Sequence, residues 1–203
     1  MLKVLNKGTG AGGANTNLNG LAFEKLTNIE EKLLENNFIK KHINKNKFGY
    51  YLINEKNDKN EKDDKTVIYL IQNGFKTYIK TKFNIDVYRQ PDEAYLIKNN
   101  KDDSYHLKIL EKKNQNVEGS VEDKLKTGSF NRKEYELMFK DANINIKVSY
   151  AFCLSKFLET KINSDTPKYK NIKKIILEDD INLFYGEKED YFQKILDWIN
   201  YAF

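Results

Sequence analysis

The chain of 203 residues holds one cysteine, two prolines, two histidines and two arginines. A lone Cys153 excludes an internal disulfide and any zinc site built from several cysteines, and it fits a reducing compartment. Within "YAFCLSKF" it reads as a small core hydrophobe. No apolar run approaches the length of about 18 residues that a membrane span requires. The opening "MLKVLNKGTGAGG" contains no apolar signal-peptide stretch, so a cytoplasmic chain without membrane association is expected. Glycine is scarce as well. Five of the ten fall between Gly8 and Gly20, which marks residues 1–20 as a Gly/Asn-rich loop or arm.

Lysine is what the chain has in excess. The two arginines, Arg89 and Arg132, stand against 33 lysines, and the net charge is +5. Residues 175–203 carry seven acids and two lysines, so the first 174 residues hold +10. Such asymmetry points to a basic face and to a polyanion as one candidate partner, although an AT-rich coding bias also yields Lys- and Asn-rich chains. At this length, with 39% apolar residues and 25 Phe and Tyr, a single domain with a real core is expected over 1–203. "NEKNDKNEKDDK" supplies a solvated charged loop at about 55–65.

Hydrophobic patterning predicts a helix from about Leu21 to Asn37, with Leu26, Ile29 and Leu33 on one stripe, then a short strand at "YYLI". "TVIYLIQ" and "FKTYIKTKFNI", separated by Asn-Gly, read as a β-hairpin. "EAYLIKNN" and "SYHLKILEKK" continue the meander around "NNKDD". A helix at "NRKEYELMFKDA", a buried strand at "INIKVSYAFCL" and further helices at "SKFLETKIN" and "KEDYFQKILDWINYAF" follow. The expected class is α/β, a central mixed β-sheet (β-meander plus parallel strand) flanked by helices.

One stretch carries chemistry. Along "SYHLKILEKK" the side chains of Tyr105, Leu107, Ile109, Glu111 and Lys113 share a face, apolar until its last two members. If this run pairs with "EAYLIKNN" as a hairpin, Asp92 lies beside Glu111. Facing carboxylates repel unless a hard cation compensates, and Mg²⁺ binds one or two carboxylates while keeping waters. Such an ion polarises phosphoryl oxygens and activates water, and Lys113 beside it could hold the attacking water or stabilise phosphate charge. The bland alternative is an exposed strand end with a salt bridge, since Glu-x-Lys alone means little in a Lys-rich chain. Pro91-Asp92 is not such an accident, because proline occurs only twice.

With "PD" at 91–92, "EKK" at 111–113 and a preceding helix opening "GLAFE" at 20–24, the chain resembles the PD-(D/E)XK nuclease superfamily, and specifically type II restriction endonucleases. "NQNVEGSVEDKL" and "GTGAGGANTN" are similar to segments of restriction enzymes, and the resemblance runs from about Gly20 to Leu158. It implies a restriction-endonuclease-like core and Mg²⁺-dependent, sequence-specific cleavage of double-stranded DNA within a restriction-modification system. It further implies Asp92 and Glu111 as metal ligands with the Lys112 carbonyl, and Lys113 as catalytic lysine. Glu24 would be an acid near the metal, although a continuous helical wheel sets it opposite Leu26, Ile29 and Leu33, on a solvated face.

DNA contacts are expected from several segments. Gly13, Asn15, Thr16 and Asn17 in the opening could approach phosphates or base edges, the alternative being a free arm. That opening lacks the Gly-Lys-Ser/Thr of a P-loop, so no nucleotide cofactor is expected. Gln115, Asn116, Glu118, Ser120 and Lys124 follow the catalytic strand, and guanine contacts by arginine must use Arg89 or Arg132. Arg89, three residues before Asp92, suits a phosphate clamp. His42 and His106 have no catalytic case. A homodimer would match a symmetric site, with "YFQKILDWINYAF" a candidate surface or, alternatively, part of its own core. Rival functions are a repair or recombination nuclease on the same core and a DNA-binding protein without catalysis.

Overall fold

The computed structural model describes residues 14–43, 49–54, 65–102, 104–115 and 121–201. Seven strands form one mixed sheet in the order of the chain: β1 (Phe38–His42), β2 (Tyr50–Asn54), β3 (Lys65–Leu70), β4 (Glu93–Asn99), β5 (Tyr105–Lys113), β6 (Ile146–Leu154) and β7 (Ile181–Tyr185). Neighbours from β1 to β5 are antiparallel, and β5, β6 and β7 are parallel. The α/β class and the mixed sheet are as expected.

Strand alternation divides the core in two. One face collects Ile68 and Leu70 of β3, Ala94 and Leu96 of β4, Leu107 and Ile109 of β5, and Tyr150, Phe152 and Leu154 of β6. Helices α3 (Gln72–Phe83), α4 (Val121–Lys126), α5 (Gly128–Asp141), α6 (Lys156–Ile162) and α7 (Pro167–Glu178) supply its cover. The other face carries Val67, Tyr69, Tyr95, Ile97, Leu110, Ala151 and Cys153 under α1 (Ala14–Leu26), α2 (Glu30–Glu35) and α8 (Tyr191–Asn200). Cys153 is fully buried and burial pushes its thiol up to about 12, which makes it an inert core group. Helix α8 spends Tyr191, Ile195 and Ile199 on this core, and the Trp198 ring lies edge-on to Tyr95.

Two expected elements differ. "FKTYIKTKF" is helix α3, not the second strand of a hairpin. Its β-formers mislead because Phe75 and Ile79, four apart and fully buried, with partly buried Phe83 one turn on, follow helical spacing. The glycine of Asn-Gly serves close approach, since a Cβ at Gly74 would stand 2.5 Å from the Tyr50 carbonyl oxygen. Gly74→Ala is expected to lower stability by about 1–3 kcal/mol, read as the denaturant midpoint; an unchanged midpoint would refute the close packing. The first helix also differs. It starts at Ala14, within the expected arm, and stops at Leu26 before α2 begins at Glu30. Leu26, expected in the core, is 56% exposed, while Phe23 and Thr27 face inward.

With so few glycines, the chain ends its helices on other residues. Asn37, Asn84, Asn143 and Asp180 follow α2, α3, α5 and α7 with φ of 64°, 58°, 58° and 54°. Asn and Asp tolerate this left-handed conformation better than other non-glycine residues.

Lys108 of β5 is 1% exposed and donates hydrogen bonds to the carbonyls of Trp198 and Tyr201 at the end of α8, the latter at 2.7 Å. Burial, then Lys147 and Lys65, push its ammonium down to about 8 from 10.5. Charging it in the fold therefore costs stability below pH 8, and as pH rises from 8 toward 10 the folded state sheds its proton before the unfolded one. The stability gain over that window is expected to be about 2 kcal/mol, and a neutral amine still offers two donors for the two carbonyls. Denaturant midpoints at pH 7.5 and 9.5 test this: the rise must vanish in Lys108→Met.

Candidate active site at the ends of strands 4 and 5

The hairpin register fixes the site. Glu93 pairs with Leu110, so the next step along β4 and β5 brings Asp92 beside Glu111. Asp92 Oδ2 accepts a hydrogen bond from the backbone N–H of Lys112 at 2.7 Å. A strand residue directs its N–H and C=O to the same side, so the Lys112 carbonyl also points toward Asp92, past the last residue of the β4 ladder. Pro91, buried, accepts from the Gln72 N–H at 3.3 Å and ties this corner to the start of α3.

Glu111 and Lys113 emerge on the α5 side of the sheet. Lys113 Nζ lies 2.9 Å from Glu111 Oε2. Glu111 is only 9% exposed, and desolvation lifts its carboxyl above the usual range; Lys113 opposes the rise and Asp92 adds to it. Arg89 is anchored through Nε to Glu134 of α5 at 2.8 Å, and its carbonyl accepts from Tyr135. Its charge helps to hold Glu111 ionised.

On the opposite side of the sheet a cleft of about 220 Å³ is lined by Glu24, Asn28, Tyr69, Gln72, Asp92, Glu93 and Lys112, with Ile71. Glu24 thus faces Asp92. Burial, then the Asp92 charge, raise its carboxyl, while Lys112 lowers it. The break between α1 and α2 is why a continuous wheel misplaces it: the two helices have independent phases. Glu93 and the Lys112 side chain were not expected here. They form an ion pair of 2.6 Å with side-chain exposures of 2% and 5%, and Tyr95 donates to the second Glu93 oxygen at 2.7 Å. A signal existed in the acid at the head of an otherwise buried strand, diagonal to a lysine across the hairpin.

Asp92 and Glu111 are thus cross-strand neighbours with Lys113 on Glu111, while Glu24 meets Asp92 only across the cleft on the other side of the sheet. The other candidates do not form one group. Arg132 donates to the Asp179 carbonyl at the end of α7 at 2.6 Å, so it is committed to the fold. Gln115 is held by its backbone to Ser155, and Lys124 is exposed on α4. His106 sits away from Glu111, hydrogen-bonded to Ser149 at 2.8 Å. The Gly13, Asn116, Glu118 and Ser120 expectations lie outside the described residues, as do the side chains of Asn15, Thr16 and Asn17.

For a metal, the donors are two carboxylates and one carbonyl. Among the described residues no group of three or more His, Cys, Asp or Glu side chains is placed to hold an ion by itself. The set fits a hard cation that keeps several waters, and the desolvated Glu111, repelled by Asp92, is the group such a charge relieves. Among the described residues no helix is long and apolar enough to cross a membrane. Compared with known proteins, the chain matches no family model, no curated relative and no solved structure.

Proposed function

We propose that this chain is a type II restriction endonuclease with a restriction-endonuclease-like core, hydrolysing phosphodiester bonds in double-stranded DNA with Mg²⁺. The observation that carries the reading is Asp92 beside Glu111 on neighbouring strand ends, with Lys113 at 2.9 Å from Glu111. Asp92, Glu111 and the Lys112 carbonyl would hold Mg²⁺, which when bound polarises a phosphoryl oxygen and acidifies water. Glu111 orients the Lys113 ammonium, which donates to the attacking water or to a phosphate oxygen as charge builds there. Glu24 supplies a third acid from across the cleft. Arg89, held by Glu134, would meet a flanking phosphate by sharing or leaving that carboxylate.

Supercoiled plasmid incubated with protein and Mg²⁺ is expected to be nicked or linearised, with fixed fragment ends on a sequenced phage genome. Calcium, with looser coordination, should retain DNA without cutting it. Cleavage confined to ends or junctions would favour a repair nuclease, and binding without cleavage a DNA-binding protein. The packing of α8 into its own core leaves a homodimer to be tested by light scattering of the free protein and of its calcium–DNA complex.

A further inference from the structure

Lys112 enters the nuclease reading through its backbone carbonyl alone, yet its side chain is buried on the other side of the sheet, bonded to three groups on two elements. Nζ bonds Glu93 Oε1 at 2.6 Å, the Thr27 carbonyl at 3.2 Å and the Glu24 carbonyl at 3.4 Å. The last two are carbonyls at the C-terminal turn of α1, where the helix has no internal donors left and a positive charge is favourable. The Tyr191 hydroxyl of α8 donates to the same Thr27 carbonyl at 3.2 Å, and Thr27 Oγ1 donates to the Phe23 carbonyl at 2.7 Å. One residue thus bonds Asp92 through its N–H and the helix bearing Glu24 through its ammonium.

We propose that Lys112 is a positioning residue: its ammonium, seated on Glu93, clamps the end of α1 against strands β4 and β5 and so sets the Glu24 carboxylate opposite Asp92 for a divalent cation. The proposal rests on the nuclease reading for its metal, but the clamp itself is a separate matter of structure. Glu93, held by Lys112 and Tyr95, is the counter-charge that keeps the ammonium buried and is not a ligand. In that arrangement the pair couples helix position to cation affinity without touching the reacting atoms.

Removing Lys112 alone would strand a buried carboxylate, so the test uses Glu93→Gln/Lys112→Met. This double variant removes both charges, and the new amide oxygen still accepts from Tyr95. Three quantities are read: amide hydrogen exchange of Leu21–Thr27 in metal-free protein, affinity for Mn²⁺ alone, and kcat and KM for plasmid nicking. Expected are a melting temperature near wild type, exchange in α1 faster by about tenfold, and Mn²⁺ affinity weaker by about 10–100-fold, as for other groups that orient metal ligands. The loss of activity should appear in kcat with KM little changed.

A folded double variant with wild-type exchange in α1 and wild-type Mn²⁺ affinity overturns the clamp. Lys112→Arg is an independent test, because a larger planar head must push α1 outward. Weaker Mn²⁺ affinity at an unchanged melting temperature supports the clamp, and unchanged affinity refutes it. If wild-type protein neither binds Mn²⁺ nor nicks DNA, the nuclease reading fails while the exchange measurement still decides the clamp.

Discussion

Asp92→Asn and Glu111→Gln are each expected to slow magnesium-dependent nicking by more than about a hundredfold while leaving a folded protein that still binds DNA. Both substitutions preserve shape. The asparagine amide keeps an oxygen for the Lys112 N–H, and the glutamine amide keeps one for the Lys113 ammonium. What each removes is negative charge, which in the nuclease reading would hold the cation. Beside a phosphate backbone its removal should also tighten metal-free DNA binding in a gel-shift assay. Stability gives a second readout. The folded-state pKa of Glu111 is raised, so the native protein binds the proton more strongly than the unfolded chain, and above that pKa the ionised group costs stability. Glu111→Gln at pH 7.5 should therefore melt no lower than wild type. Nicking at near wild-type rate in either variant would end the assignment.

That these two residues could be paired from sequence follows from the rigidity of β-structure. A hairpin with a short turn admits few registers, because a slip by one residue would exchange the two faces of the strand and set His106 and Lys108 in the apolar core that Leu107 and Ile109 fill. The pairing of Asp92 with Glu111 follows from that rule, and the shared face of Glu111 and Lys113 from strand alternation; their roles rest on the resemblance. Helix α3 was not legible for the converse reason. Its Thr, Tyr and Ile favour strands locally, and the spacing of Phe75, Ile79 and Phe83 is decisive only once a sheet exists to bury them. Strand β1 gave no signal because it is an edge strand whose residues are exposed or partly buried, so "FIKKH" shows no alternation. The Glu93–Lys112 pair is hard to see in sequence because each residue sits next to a motif acid, Asp92 or Glu111, while its side chain lies in the cleft on the other side of the sheet. Motif reading takes Lys112 as a spacer between Glu111 and Lys113. The strand instead turns its backbone toward Asp92 and its side chain toward Glu93 and the end of α1.

Lys113→Met separates holding the cation from doing the chemistry. Lys113 touches Glu111 at 2.9 Å and its side chain is 20% exposed, so it is open to substrate yet oriented by a buried partner. Its loss is expected to lower kcat by about 10²–10⁴, the range for a positioned proton-transfer or charge-stabilising group. Mn²⁺ affinity at pH 8 should survive, because an ammonium is not a ligand and its removal takes away a competing positive charge. The pH dependence should move in a defined direction. Lys113 lowers the Glu111 pKa against desolvation, so without it that pKa rises further above the usual carboxylate range. Protons then compete with the metal at higher pH, and Mn²⁺ binding in Lys113→Met should fade on acidification before it does in wild type. Titrations with Mn²⁺ at pH 6 and pH 8, beside plasmid nicking at pH 8, give the three readings. A variant that nicks at the wild-type rate would remove Lys113 from the chemistry. One that loses Mn²⁺ at pH 8 would make it part of the fold of the metal site instead.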